Sequence, residues 1–144
     1  MPFVLDTSIA AGWAFEDEDH PAATLALERI RTDEARVPSL WWFEVRNTLI
    51  VNERRGRLAE ADTAAFLRGL SRLGVSVDRS PDESTVLTLA RKHRLTVYDA
   101  SYLELAQREA LPLATLDTDL ARAARAETVP LLERAGQPGG DEGP

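Results

Sequence analysis

Four acidic residues in separate segments are the strongest candidates for chemistry in this chain. They are Asp6, Glu44, Asp99 and Asp117. Carboxylate oxygens are the ligands that Mg²⁺ and Mn²⁺ prefer in proteins. A metal ion held by them can activate water for attack on a phosphodiester. If the fold brings them together, we expect all four to bind metal in a phosphodiester hydrolase.

An ordinary structural role competes at each of these positions. Asp at the junction between a strand and a helix often only caps the helix, which applies to Asp6, Asp99 and Asp117. Glu44 taken singly would be a solvated or ion-paired helix residue. Its neighbours in the sequence are bulky and apolar, however, and a carboxylate in such surroundings needs a partner or a metal. The joint arrangement therefore favours a site more than any single acid does.

Short apolar segments alternate with helical patterns along the chain. The predicted strands are residues 3–5, 36–38, 75–77, 113–116 and 129–132. Strands separated by helices form a parallel sheet covered on both faces. We therefore predict an α/β fold, a three-layer α/β/α sandwich with a central parallel sheet of about five strands. Ligands bind beyond the carboxyl ends of such strands, where Asp6 and Asp117 fall.

Composition indicates one soluble domain. The chain has 144 residues, which is a common size for a single domain, and it has no cysteine for disulfides or a thiolate metal site. Residues 1–134 are predicted to form this domain, and the Gly-, Pro- and acid-rich residues 135–144 a disordered tail. The first apolar run is too short for a signal peptide or a membrane span, so we expect a cytoplasmic protein without a membrane partner.

The charge balance bears on the substrate. The net charge is −7, and an acidic surface repels phosphates. Acids that converge on a metal reverse the local charge, so an acidic chain can still act on a polyanion. Lys92 is the only lysine and the other basic residues are arginines, which bind phosphate through two nitrogens. Because it neighbours Glu44, Arg46 is the arginine we expect to position substrate.

Polar residues beside the acids are candidates for supporting roles. Thr7 and Ser8 follow Asp6, Asn47 shares a helix face with Glu44, and Thr115 points to the same side of its strand as Asp117. Ordinary capping is the alternative for each. Asp119, beside Asp117, is an alternative ligand for a second metal. The two histidines, His20 and His93, have no evident partner for a zinc site, and we interpret both as surface residues.

Four segments around these residues resemble the motifs of a known family. They are residues 4–8 (VLDTS), 44–49 (EVRNTL), 98–106 (YDASYLELA) and 111–117 (LPLATLD). Their order and spacing are similar to the four motifs of PIN-domain proteins, and most closely to the VapC toxin branch of toxin–antitoxin pairs. The resemblance extends from Val4 to Leu120.

The resemblance implies a specific activity and specific partners. It implies a PIN-like fold and a magnesium-dependent endoribonuclease toxin, in which Mn²⁺ can substitute for Mg²⁺. It also implies an RNA substrate, a homodimer, and inhibition by a cognate VapB-type antitoxin that inserts a segment near the site. Asp6, Glu44, Asp99 and Asp117 match the acidic quartet of the family, with Asn47 and Thr115 at its accompanying polar positions.

Two other functions compete with this hypothesis. A phosphatase of the haloacid-dehalogenase type also has an aspartate after its first strand, but it needs a second one where Ser8 stands and a well-placed lysine, for which Lys92 has no context. A catalytically inactive binding module with the PIN fold is the second alternative. The presence of all four acids argues against it.

Overall fold

The computed structural model describes residues 1–15 and 17–134. The strands are β1 (Phe3–Leu5), β2 (Ala35–Pro38), β3 (Val75–Asp78) and β4 (Leu113–Ala114). The helices are α1 (Thr7–Trp13), α2 (Pro21–Arg29), α3 (Leu40–Arg54), α4 (Glu60–Leu70), α5 (Glu83–His93), α6 (Val97–Glu109) and α7 (Thr118–Ala126). The tail predicted at 135–144 lies outside the described residues.

The strands form one parallel sheet in the order β3-β2-β1-β4. Phe3, Val4 and Leu5 are all fully buried. Successive side chains of a strand point to opposite faces, so both faces of the sheet are covered at β1. This confirms the predicted α/β/α sandwich.

The described chain has four strands, so the predicted number of about five is wrong. The missing strand is the segment 129–132, in which only Leu131 forms a parallel bridge, opposite Leu113. Pro130 accepts a hydrogen bond from the Leu113 amide, but its own nitrogen has no N–H to donate. The ladder is therefore too short to count as a strand.

Helix α6 is the most buried helix of the fold. It contacts β1, β2 and β4 on one side and α5 and α7 on the other. Every side chain from Ala100 to Ala106 is buried, including the carboxylate of Glu104. Arg108, one turn further on, donates two hydrogen bonds to Glu104 and two to Asp78 at the end of β3. This network satisfies a charge that would be costly to bury alone.

The end of α5 is tied to the end of α7 by a polar cluster around Glu127. Lys92 lies 2.8 Å from this carboxylate and His93 lies 2.6 Å from it. Hydrogen bonds from Lys92, His93 and Gln107 lower the pKa of Glu127 to about 2. His93, interpreted from the sequence as a surface residue, is therefore a largely buried structural residue.

None of the helices in the described part of the chain has the length and apolar character needed to span a bilayer.

Candidate active site at the carboxyl edge of the sheet

The parallel pairing of β1 with β4 places their carboxyl ends side by side. Asp6 follows β1 directly, and its amide donates to the carbonyl oxygen of Ala114, the last residue of β4. Thr115 and Asp117 come next in the chain, at the same edge. The sheet edge expected from the sequence therefore brings Asp6 and the segment around Asp117 together.

Asp6 is held by two hydroxyl groups. Ser8 Oγ and Thr115 Oγ1 donate to the same oxygen, Oδ2, at 2.6 and 2.7 Å. Although Asp6 is at the position that would cap α1, its side chain makes no capping hydrogen bond. Burial raises the pKa of the Asp6 carboxyl, the two hydroxyl groups oppose that rise, and the charges of Glu44 and Asp117 add to it. The ordinary capping role is therefore not the one that Asp6 performs.

Backbone amides fix the direction of both hydroxyl protons. The Leu116 amide donates to Ser8 Oγ at 2.8 Å, and the Asp117 amide donates to Thr115 Oγ1 at 3.0 Å. A hydroxyl group has one proton to give, so each of these side chains accepts from the backbone and donates to Asp6. Ser8 and Thr115 thus orient the carboxylate across the joint between β1 and β4.

Two hydroxyl groups also hold Glu44, which lies on α3. Tyr102 Oη donates to Glu44 Oε1 at 2.6 Å, and Thr7 Oγ1 donates to the same oxygen at 3.0 Å. Tyr102 is fully buried. Burial raises the pKa of its hydroxyl, and the hydrogen bond to Glu44 raises it further, so Tyr102 stays a proton donor. Tyr102 is not among the residues predicted from the sequence, although its position one turn after Asp99, in an apolar run, indicates a buried side chain near that acid.

Asp99 lies in the first turn of α6 and does not cap it. The cap is Thr96, whose Oγ1 accepts a hydrogen bond from the Asp99 amide at 3.0 Å. The capping role considered for Asp99 from the sequence therefore belongs to Thr96, since α6 starts at Val97. Burial raises the pKa of Asp99 to about 6, and the charges of Asp117, Asp6, Glu44 and Asp119 add to the effect. Asp99 therefore shares one electrostatic environment with the other acids.

Asp117, unlike Asp6 and Asp99, does cap a helix. Its Oδ1 accepts hydrogen bonds from the amides of Asp119 and Leu120, at 2.8 and 3.0 Å, and so caps α7. Its second oxygen, Oδ2, accepts no hydrogen bond within the described chain. Asp119 is exposed and pairs with Arg122 at 2.9 Å. The more enclosed Asp117 thus combines capping with a carboxylate oxygen still free at the site.

The two other candidates on α3, Asn47 and Arg46, lie at the edge of the acidic cluster. Asn47 lines a surface cavity of about 340 Å³ together with Leu40, Phe43, Glu44 and Tyr98. The Arg46 guanidinium is 4.0 Å above the centre of the Trp42 ring and donates to the Trp42 carbonyl oxygen. Arg46 therefore packs on its own helix in this structure and does not contact the acids.

The free carboxylate oxygens at this edge suit a small hard cation. Asp6 Oδ1, Glu44 Oε2 and Asp117 Oδ2 accept no hydrogen bond from the described residues. Burial raises the pKa of Asp99, and the neighbouring carboxylates add a repulsion that a cation would relieve. Within residues 1–15 and 17–134, no group of three or more acidic or histidine side chains is close enough together to hold a metal ion without rearrangement. Mg²⁺ keeps several waters and uses one or two carboxylates directly, so its binding does not require such a cage.

Replacement of Asp99 by asparagine should stabilise the metal-free protein. The substitution removes a charge that its surroundings disfavour. Because Asp99 is partly exposed, solvent screens much of this effect, and in chelator at pH 7.5 we expect the free energy of unfolding to rise by only about 1 kcal/mol. Thermal unfolding of the wild type and Asp99→Asn measures this. Asp19→Asn, at an exposed acid outside the cluster, is the control. A lower unfolding midpoint for Asp99→Asn would show that the acids do not repel one another.

Comparison with known proteins identifies the class. Residues 3–126 match the sequence model of the PIN domain. The chain is also similar in structure to PAE2754 from Pyrobaculum aerophilum, with a TM-score of 0.67 and 24% identity over 85% of this chain and 84% of the other. VapC20 of Mycobacterium tuberculosis, a sarcin–ricin-loop-cleaving toxin, has a TM-score of 0.56 and 16% identity over 84% and 94% of the two chains. The chain therefore belongs to the PIN-domain family.

Sequence similarity narrows this assignment to one branch of the PIN-domain family. Ribonuclease VapC3 of Pyrobaculum aerophilum is 33% identical over 125 residues, which cover 84% of this chain and 93% of the relative. This agrees with the VapC resemblance of the four motifs, so the chain is a VapC-type member of the family.

Proposed function

We propose that the protein is a metal-dependent endoribonuclease toxin. The observation that carries the proposal is the convergence of Asp6, Glu44, Asp99 and Asp117 at the carboxyl edge of the sheet, where burial and the charges of the other acids raise the pKa of Asp99 to about 6. Similarity to Ribonuclease VapC3 supports RNA as the substrate. Membership of the PIN-domain family excludes a phosphatase of the haloacid-dehalogenase type.

The four carboxylates would hold Mg²⁺, for which Mn²⁺ can substitute, with Asp119 as the alternative to Asp117. When bound, the ion lowers the pKa of water and neutralises charge on phosphate oxygens. The chain's own contribution is orientation. Ser8 and Thr115 fix Asp6 at one side of the site, and Thr7 and Tyr102 fix Glu44 at the other.

Substrate positioning is assigned to the exposed side chains of α3 beside Glu44. Asn47 lines the cavity next to that carboxylate, and its amide group can both donate to phosphate and accept from a base or ribose. Arg46, the residue before Asn47, supplies a positive charge, but its guanidinium would have to leave the Trp42 ring to reach RNA. Its role is therefore secondary to that of Asn47.

Protein partners are proposed for the apolar surface next to the site. Trp42, Phe43, Val97 and Tyr98 are 51%, 69%, 50% and 62% exposed. Exposed apolar surface of this kind typically marks an interaction site. We assign it to a second copy of the chain, and a VapB-type antitoxin to the neighbouring site entrance. Sedimentation velocity should give a dimer for the wild type and a monomer for Phe43→Glu, and a monomeric wild type would refute the assignment.

The activity is tested by incubating the purified chain with total RNA. We expect cleavage with Mg²⁺ or Mn²⁺ and none with excess chelator. The alternative of an inactive binding module predicts that the protein binds RNA or an antitoxin but produces no fragments under either condition. Cleavage that persists in chelator would point to a contaminating nuclease or to metal-free chemistry, and would contradict the proposal.

A further inference from the structure

The hydroxyl groups around Glu44 leave its two oxygens in different states. Oε1 accepts from Tyr102 at 2.6 Å and from Thr7 at 3.0 Å. A carboxylate oxygen has about two acceptor positions, so these two bonds occupy Oε1. Oε2 accepts no hydrogen bond from residues 1–15 or 17–134. Only Oε2 therefore remains available to a ligand.

Asp6 repeats this arrangement with different residues. Its Oδ2 accepts from Ser8 and Thr115, and its Oδ1 accepts from no described residue. Two carboxylates at one sheet edge thus each have one oxygen filled by a pair of hydroxyl groups and one left open. Tyr102 Oη and Thr7 Oγ1 are also 2.8 Å apart, but each has one proton and gives it to Glu44, so this contact adds no third hydrogen bond.

We propose that Tyr102 is a positioning residue for Glu44, whose hydroxyl occupies Oε1 and so makes Glu44 a one-oxygen metal ligand through Oε2. The proposal rests on the metal-dependent function proposed above. Tyr102 acts through Glu44 and is not itself a ligand, since its hydroxyl is fully buried behind the carboxylate.

A one-oxygen ligand has a consequence for metal choice. Mg²⁺ and Mn²⁺ favour near-octahedral sites with single carboxylate oxygens and bound waters, whereas Ca²⁺ takes more oxygens and accepts both from one carboxylate. Without the Tyr102 hydroxyl, Glu44 Oε1 keeps only the longer bond from Thr7, and the carboxylate can turn. The site should then lose affinity for Mg²⁺ and Mn²⁺ while Ca²⁺ is less affected.

The test is direct metal binding by the purified full-length chain. Free Mn²⁺ is measured by electron paramagnetic resonance, with Mg²⁺ and Ca²⁺ as competitors, for the wild type and Tyr102→Phe. Thr24→Val is the control, because it also removes one hydroxyl group, at an exposed position of α2 where that group bonds to no described residue. We expect the Kd for Mn²⁺ to rise about tenfold in Tyr102→Phe and to stay unchanged in Thr24→Val.

A second pair of variants covers a failure of Tyr102→Phe to fold. Thr7→Val removes the other hydroxyl group on Oε1, and Thr7→Ser keeps one there. We expect weaker Mn²⁺ binding in Thr7→Val and retained binding in Thr7→Ser. Circular dichroism in chelator checks that each variant is folded.

The outcomes separate this proposal from the proposed function. A wild type that binds Mn²⁺, with Tyr102→Phe or Thr7→Val binding it equally well, would overturn the positioning role and leave the nuclease proposal standing. A wild type that binds no Mn²⁺ and cleaves no RNA would refute the proposed function and this role with it. An equal loss of Mn²⁺ and Ca²⁺ affinity in Tyr102→Phe would contradict the one-oxygen arrangement.

Discussion

Asp6→Asn is expected to lower the rate of RNA cleavage by about a thousandfold while the fold is retained, because a lost metal contact removes several kcal/mol of transition-state stabilisation. The amide oxygen of asparagine can replace Oδ2 as the acceptor for Ser8 and Thr115. The amide nitrogen then stands where Oδ1 was, and its protons repel a cation. The substitution thus places a hydrogen-bond donor, the amide nitrogen, where the carboxylate had its free oxygen Oδ1.

Fold retention follows from the environment of Asp6. Burial raises the pKa of its carboxyl, which means that the surroundings penalise the charge, so a neutral asparagine should not destabilise the metal-free protein. Initial rates with a labelled RNA and unfolding in chelator should be measured together, with Asp19→Asn as the control. An Asp6→Asn protein that is folded and as active as the wild type would remove Asp6 from the site.

Arg108→Met is expected to cost about 3–5 kcal/mol of unfolding free energy, because it leaves a buried carboxylate without its partner. Glu104 is 1% exposed, and Arg108 binds both of its oxygens, at 2.7 and 3.1 Å. The same guanidinium binds Asp78 through two further hydrogen bonds. The loss therefore affects the centre of α6 and the end of β3 together.

A second substitution should reverse much of this loss. Apolar residues that replace both partners of a buried ion pair are often tolerated, so Glu104→Leu combined with Arg108→Met should be more stable than Arg108→Met alone. Arg122→Met is the control, since Arg122 and Asp119 are 63% and 67% exposed and such a pair contributes less than about 1 kcal/mol. Urea unfolding at pH 7 measures all three. An Arg108→Met protein as stable as the Arg122→Met control would show that the network contributes little.

Much of the fold could be predicted because its signals are local. The apolar segment Phe3–Leu5 and the turn signal after it indicate a buried strand without reference to the rest of the chain. The parallel sheet then follows from the alternation of strands and helices, and the sheet edge from the ends of the strands. The segment 129–132 failed as a strand because Pro130 has no N–H to extend the pairing beyond the single bridge at Leu131.

The supporting residues divide according to the kind of contact they make. Ser8 and Thr115 flank acids in the sequence, and their proximity made a hydrogen-bonding role foreseeable. Tyr102 reaches Glu44 across 58 positions in the chain, and the direction of a buried tyrosine hydroxyl depends on tertiary packing. Arg46 was favoured from its place beside Glu44, but neighbours in a helix point to different sides, and its guanidinium lies on Trp42.

The most direct test of the metal-dependent nuclease site is the initial rate of cleavage of a labelled RNA as Mg²⁺ is titrated into metal-free protein. The carboxylate site predicts no cleavage in chelator, a saturable rise in rate with Mg²⁺ for the wild type, and a severe loss of rate in Asp99→Asn at every Mg²⁺ concentration. A rate that is independent of Mg²⁺, or equal in the wild type and Asp99→Asn, would contradict it.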